Sequence, residues 1–410
     1  MITIASYRFT KMALPPAWLR CMALGIFAVA MGTGCATRHA DRYPIGIYAP
    51  GDISHLDELR QAGFSHVTGP ARREFLDAAR AQDLEVLTHP GSTAGPRFDP
   101  SPVRTAAHTL DSHPALWAWY LSDEPDLNDV TPEQVDAVQR TLRTSGARKP
   151  TALVVQKGPS LARFHGADIL MVDRYPIGWQ PLATFFQHMQ HGVVAARAGR
   201  RSFISVIQAF DWGAYADIHP FPEPLAARPP TEAELRCMAW GARLIGADGL
   251  FFYAFDDGRW SLTDHPDTWR SLQKVVGEIR RREPLFTAPR SGLPPRSEYL
   301  EPSRRFNEAF EPAILWASVR VQTGTTETPP GLYWILVNTT AESHQIRIRD
   351  TTWHGAVLPD CDLGAPRQVD PEGWMEELRA YEVRLLGPLE VPAIGGPTTV
   401  NSAPSTRNNR

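Results

Sequence analysis

The chain is 410 residues long, 43% hydrophobic and 21% charged, with 42 Lys and Arg against 45 Asp and Glu and a formal net charge of −3. That length gives two domains or one large barrel with an appendage. The composition is that of a globular protein, and the charge balance excludes the basic face that a nucleic-acid partner would call for. Only four cysteines occur, Cys21, Cys35, Cys237 and Cys361, too few after the leader for a disulfide framework or a four-cysteine zinc site. Cys237 falls inside an amphipathic helical pattern and reads as a small buried side chain.

The first 34 residues carry Arg8, Lys11 and Arg20, no acidic residue, and an apolar core from Cys21 to Met31. A charged start, a short apolar stretch and a small-residue exit describe a secretory signal, not a span of ~20 apolar residues. Its removal shifts the net charge from −3 to −6. The stretch "MGTGCAT" resembles a bacterial lipoprotein processing site, although Gly32 stands where such sites usually have Leu. The resemblance implies lipidation at Cys35, a location in the bacterial cell envelope, and contact with a membrane only through that lipid; ordinary secretion to the periplasm or medium and an uncleaved anchor are the alternatives.

After a short linker (35–42), apolar runs alternate with helical patterns. Strands are predicted at "PIGIYA" (44–49), "FSHVTG" (64–69), "LEVLTH" (84–89), "LWAWYLS" (116–122), "TALVVQ" (151–156), "DILMVDRY" (168–175), "SFISVIQAF" (202–210) and "GLFFYAF" (249–255). Two of the intervening helices announce their starts. Thr131, Pro132 and Gln134 form one capping-box signature, and Thr231 with Glu234 forms another. Eight strand–helix repeats over residues 43–288 predict a (β/α)8 TIM barrel. An open doubly wound sheet is the runner-up, but no Gly-rich phosphate turn follows any strand.

A Pro-, Ser- and Arg-rich connector (289–312) follows. "ILWASVRVQ", "LYWILVNTT", "HQIRIRD" and "LRAYEVRLL" then alternate in period two, which predicts a small antiparallel β-sandwich over 313–392. Residues 393–410 have the composition of a disordered tail.

In such barrels the reactive groups stand at the C-terminal ends of the strands. Asp123 and Glu124 end the fourth, and Asp173 and Tyr175 end the sixth. His89 follows the third, Gln156 and Lys157 the fifth, Gln208 and Asp211 the seventh, and Tyr253, Asp256 and Asp257 the eighth. Asp-Glu-Pro-Asp is also ordinary turn chemistry, so the acidic run has a plain loop reading beside the catalytic one. Trp179, Trp212 and Trp260 follow strand ends and offer flat apolar faces to a sugar, or else pack loops onto the rim.

"WYLSDEP" resembles the acid/base strand of retaining (β/α)8 glycoside hydrolases, in which Asn-Glu-Pro is the common form. "GADGLFFYAF" and the C-terminal sandwich resemble the same group, over about residues 43 to 390. The resemblance implies Glu124 as general acid/base and Asp123 as a sugar-hydroxyl ligand, on a poly- or oligosaccharide substrate. His89, Tyr175, Gln208, Tyr253 and the three tryptophans complete the expected substrate contacts. One departure is serious. The family's nucleophilic Glu at the end of strand seven is here Gln208, and an amide cannot serve. Asp173 is the favoured second carboxylate, with Asp211 and Glu223 as alternatives and a cap or an Arg174 ion pair as its structural role.

No metal or cofactor is called for: His66, His89 and His219 lack metal-ligand spacing, and no Gly-x-Ser-x-Gly elbow occurs. The expected state is a monomer. The rival reading is a surface lipoprotein that binds glycan on the barrel without cleaving it.

Overall fold

The computed structural model describes residues 42–217, 227–289, 296–349 and 353–390. Cys35 and its leader, nearly all of the 35–42 linker, His219, Glu223 and the 393–410 tail lie outside the described residues.

Eight strands close a barrel in sequence order. They are β1 (Ile45–Ile47), β2 (His66–Thr68), β3 (Glu85–Thr88), β4 (Leu116–Tyr120), β5 (Thr151–Val155), β6 (Ile169–Val172), β7 (Ser202–Gln208) and β8 (Gly249–Tyr253). Each pairs in parallel with its neighbours, and β8 returns to β1. Residues of β5 and β6 are buried throughout, because one face points into the barrel and the other meets helices. The inner face is filled by Leu87, Val154, Met171, Val206 and Phe251, so the barrel is a packed core. Gly46 in β1 makes room for that filling: a Cβ there would stand 2.4 Å from the Phe251 ring.

The helices are α1 (Leu56–Gln61), α2 (Arg73–Ala81), α3 (Pro100–Leu110), α4 (Pro132–Thr144), α5 (Ala183–Ala198), α6 (Glu232–Ile245), α7 (Pro266–Arg281) and α8 (Glu283–Thr287). Both predicted capping boxes are present, Thr131 with Gln134 on α4 and Thr231 with Glu234 on α6. The strand–helix alternation fails once. Between β5 and β6 there is only a 3-10 turn, Gly158–Ala162. Pro159 sits in that turn, and α5 crowds it so closely that a Cβ on Gly158 would lie 2.1 Å from the His188 carbonyl oxygen.

The C-terminal region folds as small antiparallel sheets. Strands β9 (Arg296–Tyr299), β12 (His344–Arg349) and β15 (Trp374–Leu378) form one, in the order β15-β12-β9. Strands β10 (Ile314–Val321), β11 (Gly331–Asn338) and β16 (Val383–Leu389) form the other, in the order β10-β11-β16. A short β13 (Val357–Leu358) and β14 (Arg367–Gln368) pair is added. Trp334, Ile346, Ile348, Trp374 and Leu386 make the core between the sheets. The predicted connector therefore holds a strand. β9 pairs with β12, and the Tyr299 hydroxyl accepts a hydrogen bond from the Ile314 N–H at 3.2 Å.

This region packs against the barrel through α6. The Arg236 guanidinium binds Glu278 at 2.8 Å, Asp362 at 2.9 Å and the Val383 carbonyl at 2.7 Å. Cys237, fully buried as expected, points its thiol at the Asn338 carbonyl.

Candidate active site

The strand ends of β4 and β6 bring two carboxyls together. β4 is an apolar run that stops at Tyr120, and the chain turns sharply in the next four residues. Glu124 takes a left-handed φ of 40°, a conformation that costs a non-glycine residue roughly 1–3 kcal/mol and persists only when its surroundings enforce it. The enforcement is visible. The Leu127 and Asn128 N–H groups donate to the Glu124 carbonyl at 3.0 and 3.1 Å, and the Asn128 amide adds a bond at 3.0 Å. Asp126 reaches across to the β5 loop, accepting from the Gln156 and Lys157 N–H groups at 3.1 and 2.9 Å. In "DEPD", then, Asp126 is the structural acid, and the turn it braces presents Asp123 and Glu124.

Asp173, directly after β6, is 5% exposed. Its carboxyl is hydrogen-bonded to that of Glu124, while its Oδ1 has no hydrogen-bond partner. Burial first, then the charge of Asp123, pushes the Glu124 carboxyl up to about 7, against the lowering effect of the bond with Asp173. Burial also drives Asp173 well above the carboxylate range, with the charges of Glu124 and Asp123 adding to it. Two acids this close cannot both ionise, so they hold one proton between them and titrate as a unit. That leaves one carboxylic acid and one carboxylate side by side at neutral pH.

The pair lines a cavity of about 260 Å³ walled by Tyr175, Trp179, Phe210, Trp212 and Tyr253. The indole N–H groups of Trp179 and Trp212 both donate to the Tyr175 carbonyl, at 2.5 and 3.1 Å, which fixes the two rings on one rim. The Arg174 guanidinium covers one face of Trp179, 4.9 Å from its centroid, and donates to Gln180 Oε1; among the described residues it forms no hydrogen bond or ion pair with Asp173. A second, more open lobe of about 420 Å³ is lined by His89, Tyr120, Asp256 and Asp257, and shares Tyr48 and Asp123 with the first. His89 stacks on Tyr120, and burial lowers its pKa against the raising effect of the Asp123 charge.

The Tyr48 hydroxyl lies 3.3 Å from that of Tyr120, which donates to Asp123 Oδ1 at 2.5 Å. The Tyr215 and Tyr253 hydroxyls both donate to Asp257 Oδ2, at 2.5 and 2.8 Å. Burial would raise Asp257, but these bonds and the backbone N–H groups of Trp260 and Arg259 outweigh it and hold the carboxylate ionised.

Most of the expected site residues meet here: Glu124, Asp173, Asp123, Tyr175, Tyr253, Trp179, Trp212 and His89. Two do not. Gln208 is fully buried beneath the cavity. Its Oε1 accepts from the Ile177 N–H at 2.8 Å, and its Nε2 donates to the Ile177 and Phe210 carbonyls at 3.0 and 3.1 Å. The side chain is a clamp on the β6 loop, with nothing left for a substrate. Trp260 is 2% exposed and stacks on His265, 3.8 Å between centroids, so it packs the β8 loop and offers no platform. Asp211 likewise caps its own turn, accepting from the Gly213 N–H at 2.7 Å.

Tyr48 and Tyr120 were not among the expected residues. Tyr48 stands directly after β1, where the strand-end rule points. Tyr120 is hidden in the apolar run of β4, where its hydroxyl gives no periodic signal. Among the described residues no group of three or more His, Cys, Asp or Glu side chains is arranged to hold a metal ion.

No protein-family model matches the chain, and no curated protein matches it. Solved structures do. The α-amylase of Geobacillus thermoleovorans, complexed with acarbose, superposes with a TM-score of 0.50 at 11% identity, over 84% of this chain and 98% of that one. AmyP in complex with maltose superposes with a TM-score of 0.51 at 10% identity, over 88% of this chain and 99% of its own. At such identities the likeness is one of fold: an eight-stranded parallel barrel followed by a β-region.

Proposed function

We propose that the protein is a glycoside hydrolase acting on a poly- or oligosaccharide, with Glu124 and Asp173 as its carboxyl pair. The observation that carries this reading is the pair of carboxyls, Glu124 and buried Asp173, that the strand ends bring into one cavity walled by aromatic rings. Glycosidic cleavage needs one carboxyl protonated to feed the leaving oxygen and another ionised to attack or to activate water. The pair holds both states at neutral pH. The proton, held more tightly by Asp173, passes to Glu124, the less enclosed of the two, which delivers it to the leaving oxygen and leaves Asp173 as the carboxylate. The aromatic walls match the C–H faces of a sugar ring, and Asp123, fixed by Tyr120, binds a hydroxyl. The similarity of the fold to proteins crystallised with acarbose and maltose supports a saccharide ligand.

Anchoring through a lipid on Cys35, in the cell envelope and as a monomer, belongs to the same proposal and places the cleft where extracellular glycans arrive. Replacing Cys35 by Ser should release the protein from membranes. The activity is tested by incubating the full chain with a panel of polysaccharides and measuring reducing ends. Release that Asp173→Asn abolishes supports the proposal. Glycan binding without release, in wild type and variant alike, replaces it with the binding-protein reading.

A further inference from the structure

Among the described residues, every ionisable group lining the two lobes except the tyrosines and His89 is an acid, and no Lys or Arg is among them. Hydrolysis accounts for Glu124 and Asp173. Asp257 is consumed by the Tyr215 and Tyr253 hydroxyls. Asp123 and Asp256 remain, both lining the open lobe, and among the described residues each has one side-chain hydrogen bond: Asp123 Oδ1 with Tyr120, Asp256 Oδ1 with the Gly258 N–H at 3.0 Å. The nearby cations are turned to other work. Arg174 binds Gln180 and lies on Trp179, and Arg259 pairs with Asp217 at 2.7 Å.

A cleft so charged repels uronic, sulfated and phosphorylated sugars. It favours a ligand that brings a positive charge, all the more where aromatic faces add cation–π attraction. Asp173 Oδ1, buried and without a hydrogen-bond partner among the described residues, lines the inner lobe, which shares Asp123 with the open one, and accepts from a ligand that brings a donor.

We infer that the glycan is an amino sugar polymer with free, protonated amines, one of which sits in the open lobe between Asp123 and Asp256. This rests on the glycoside hydrolase reading and narrows its substrate class. It also accounts for the surplus of acids. An ammonium beside the reacting ring opposes the positive charge that develops in an oxocarbenium-like transition state, and carboxylates at the ammonium offset that opposition.

The test is binding of monosaccharides to the full-length protein by ligand-observed NMR at about pH 6, where a primary amine is protonated. Glucosamine and galactosamine are compared with glucose, galactose and their N-acetyl forms, and with cyclohexylamine as an amine that is not a sugar. The expected result is binding of the free amino sugars about ten-fold tighter than the neutral ones, weakened by salt, with the preference lost in Asp256→Asn. Neutral sugars that bind as tightly as the amines overturn the inference and leave the glycoside hydrolase reading in place. Cyclohexylamine binding as well as glucosamine overturns it too, since the lobe then attracts any cation. No binding of any sugar overturns it as well; the hydrolase reading is judged separately, by reducing ends released from the polysaccharide panel.

Discussion

Glu124 leaves the end of β4 in a left-handed conformation, and its carboxyl meets that of Asp173, from the end of β6, in a hydrogen bond. The two strands are not neighbours in the sheet: β5 lies between them. Their side chains meet because both residues stand just past the strand ends, over the barrel mouth. The turn that carries Glu124 is braced by Asp126 against the β5 loop, so the middle strand's loop holds the pair in place.

The pair makes stability depend on pH. A carboxyl whose folded pKa is raised, Glu124 to about 7, binds its proton more tightly in the folded state. Its contribution is fully present below the unfolded value near 4.5 and is lost as pH rises through about 7. Asp173, raised further by burial, acts in the same direction. Thermal denaturation should therefore show the melting temperature falling between about pH 5 and pH 8. Glu124→Gln should flatten that slope and melt higher than wild type above pH 7, the usual gain when a site is relieved of its function.

Gln208 is expected to resist conversion into the missing nucleophile. Glu at that position would put an acid against the Ile177 carbonyl, to which the Gln208 amide now donates. A donor would be lost and a charge buried without a cation, at a cost of about 1–3 kcal/mol or more. Gln208→Glu should lower the melting temperature without raising hydrolysis.

Trp212 and Trp260 should separate binding from packing. Trp212 lines the cavity, so Trp212→Ala should raise KM with a smaller effect on kcat. Trp260 is buried against His265, so Trp260→Ala should lower stability by about 3–5 kcal/mol. Chemical denaturation and steady-state kinetics on both variants check the division.

The barrel was legible because eight apolar runs, each ending in polar or small residues, recur at helical intervals, and both capping boxes could be read letter by letter. The missing helix after β5 was not, because the obstacle is α5 lying over Gly158, a contact between segments about thirty residues apart. β9 was hidden by its length and by the prolines and arginines around it; what fixes it is pairing with β12. At the site, the strand-end rule placed Glu124, Asp123 and Asp173 and would have placed Tyr48. It could not separate a strand-end residue facing the cleft from one facing the loops. Gln208 and Trp260 share the strand-end signature, yet the first is saturated by backbone groups and the second is enclosed.

The contact between the two carboxyls also bears on stereochemistry. Inverting hydrolases keep their carboxyls about 6.5–9.5 Å apart to admit a water, whereas retaining ones hold them at about 5–5.5 Å. Two carboxyls close enough to interact directly stand nearer the retaining arrangement than the inverting one, so the products should keep the anomeric configuration of the substrate. Following the first-formed anomer by proton NMR decides this, and an inverted product would place the attacking water elsewhere.

The central claim is that Glu124 delivers a proton to the glycosidic oxygen. Its most direct test is kcat for Glu124→Gln on a substrate cleaved by the wild type, measured across pH on protein shown to be folded. General acid catalysis contributes typically ~10²–10⁴-fold, so kcat should fall by about that factor. The wild-type loss of activity above about pH 7, set by the shared proton, should disappear with it. A Glu124→Gln variant that hydrolyses at the wild-type rate with the wild-type pH profile would contradict the account.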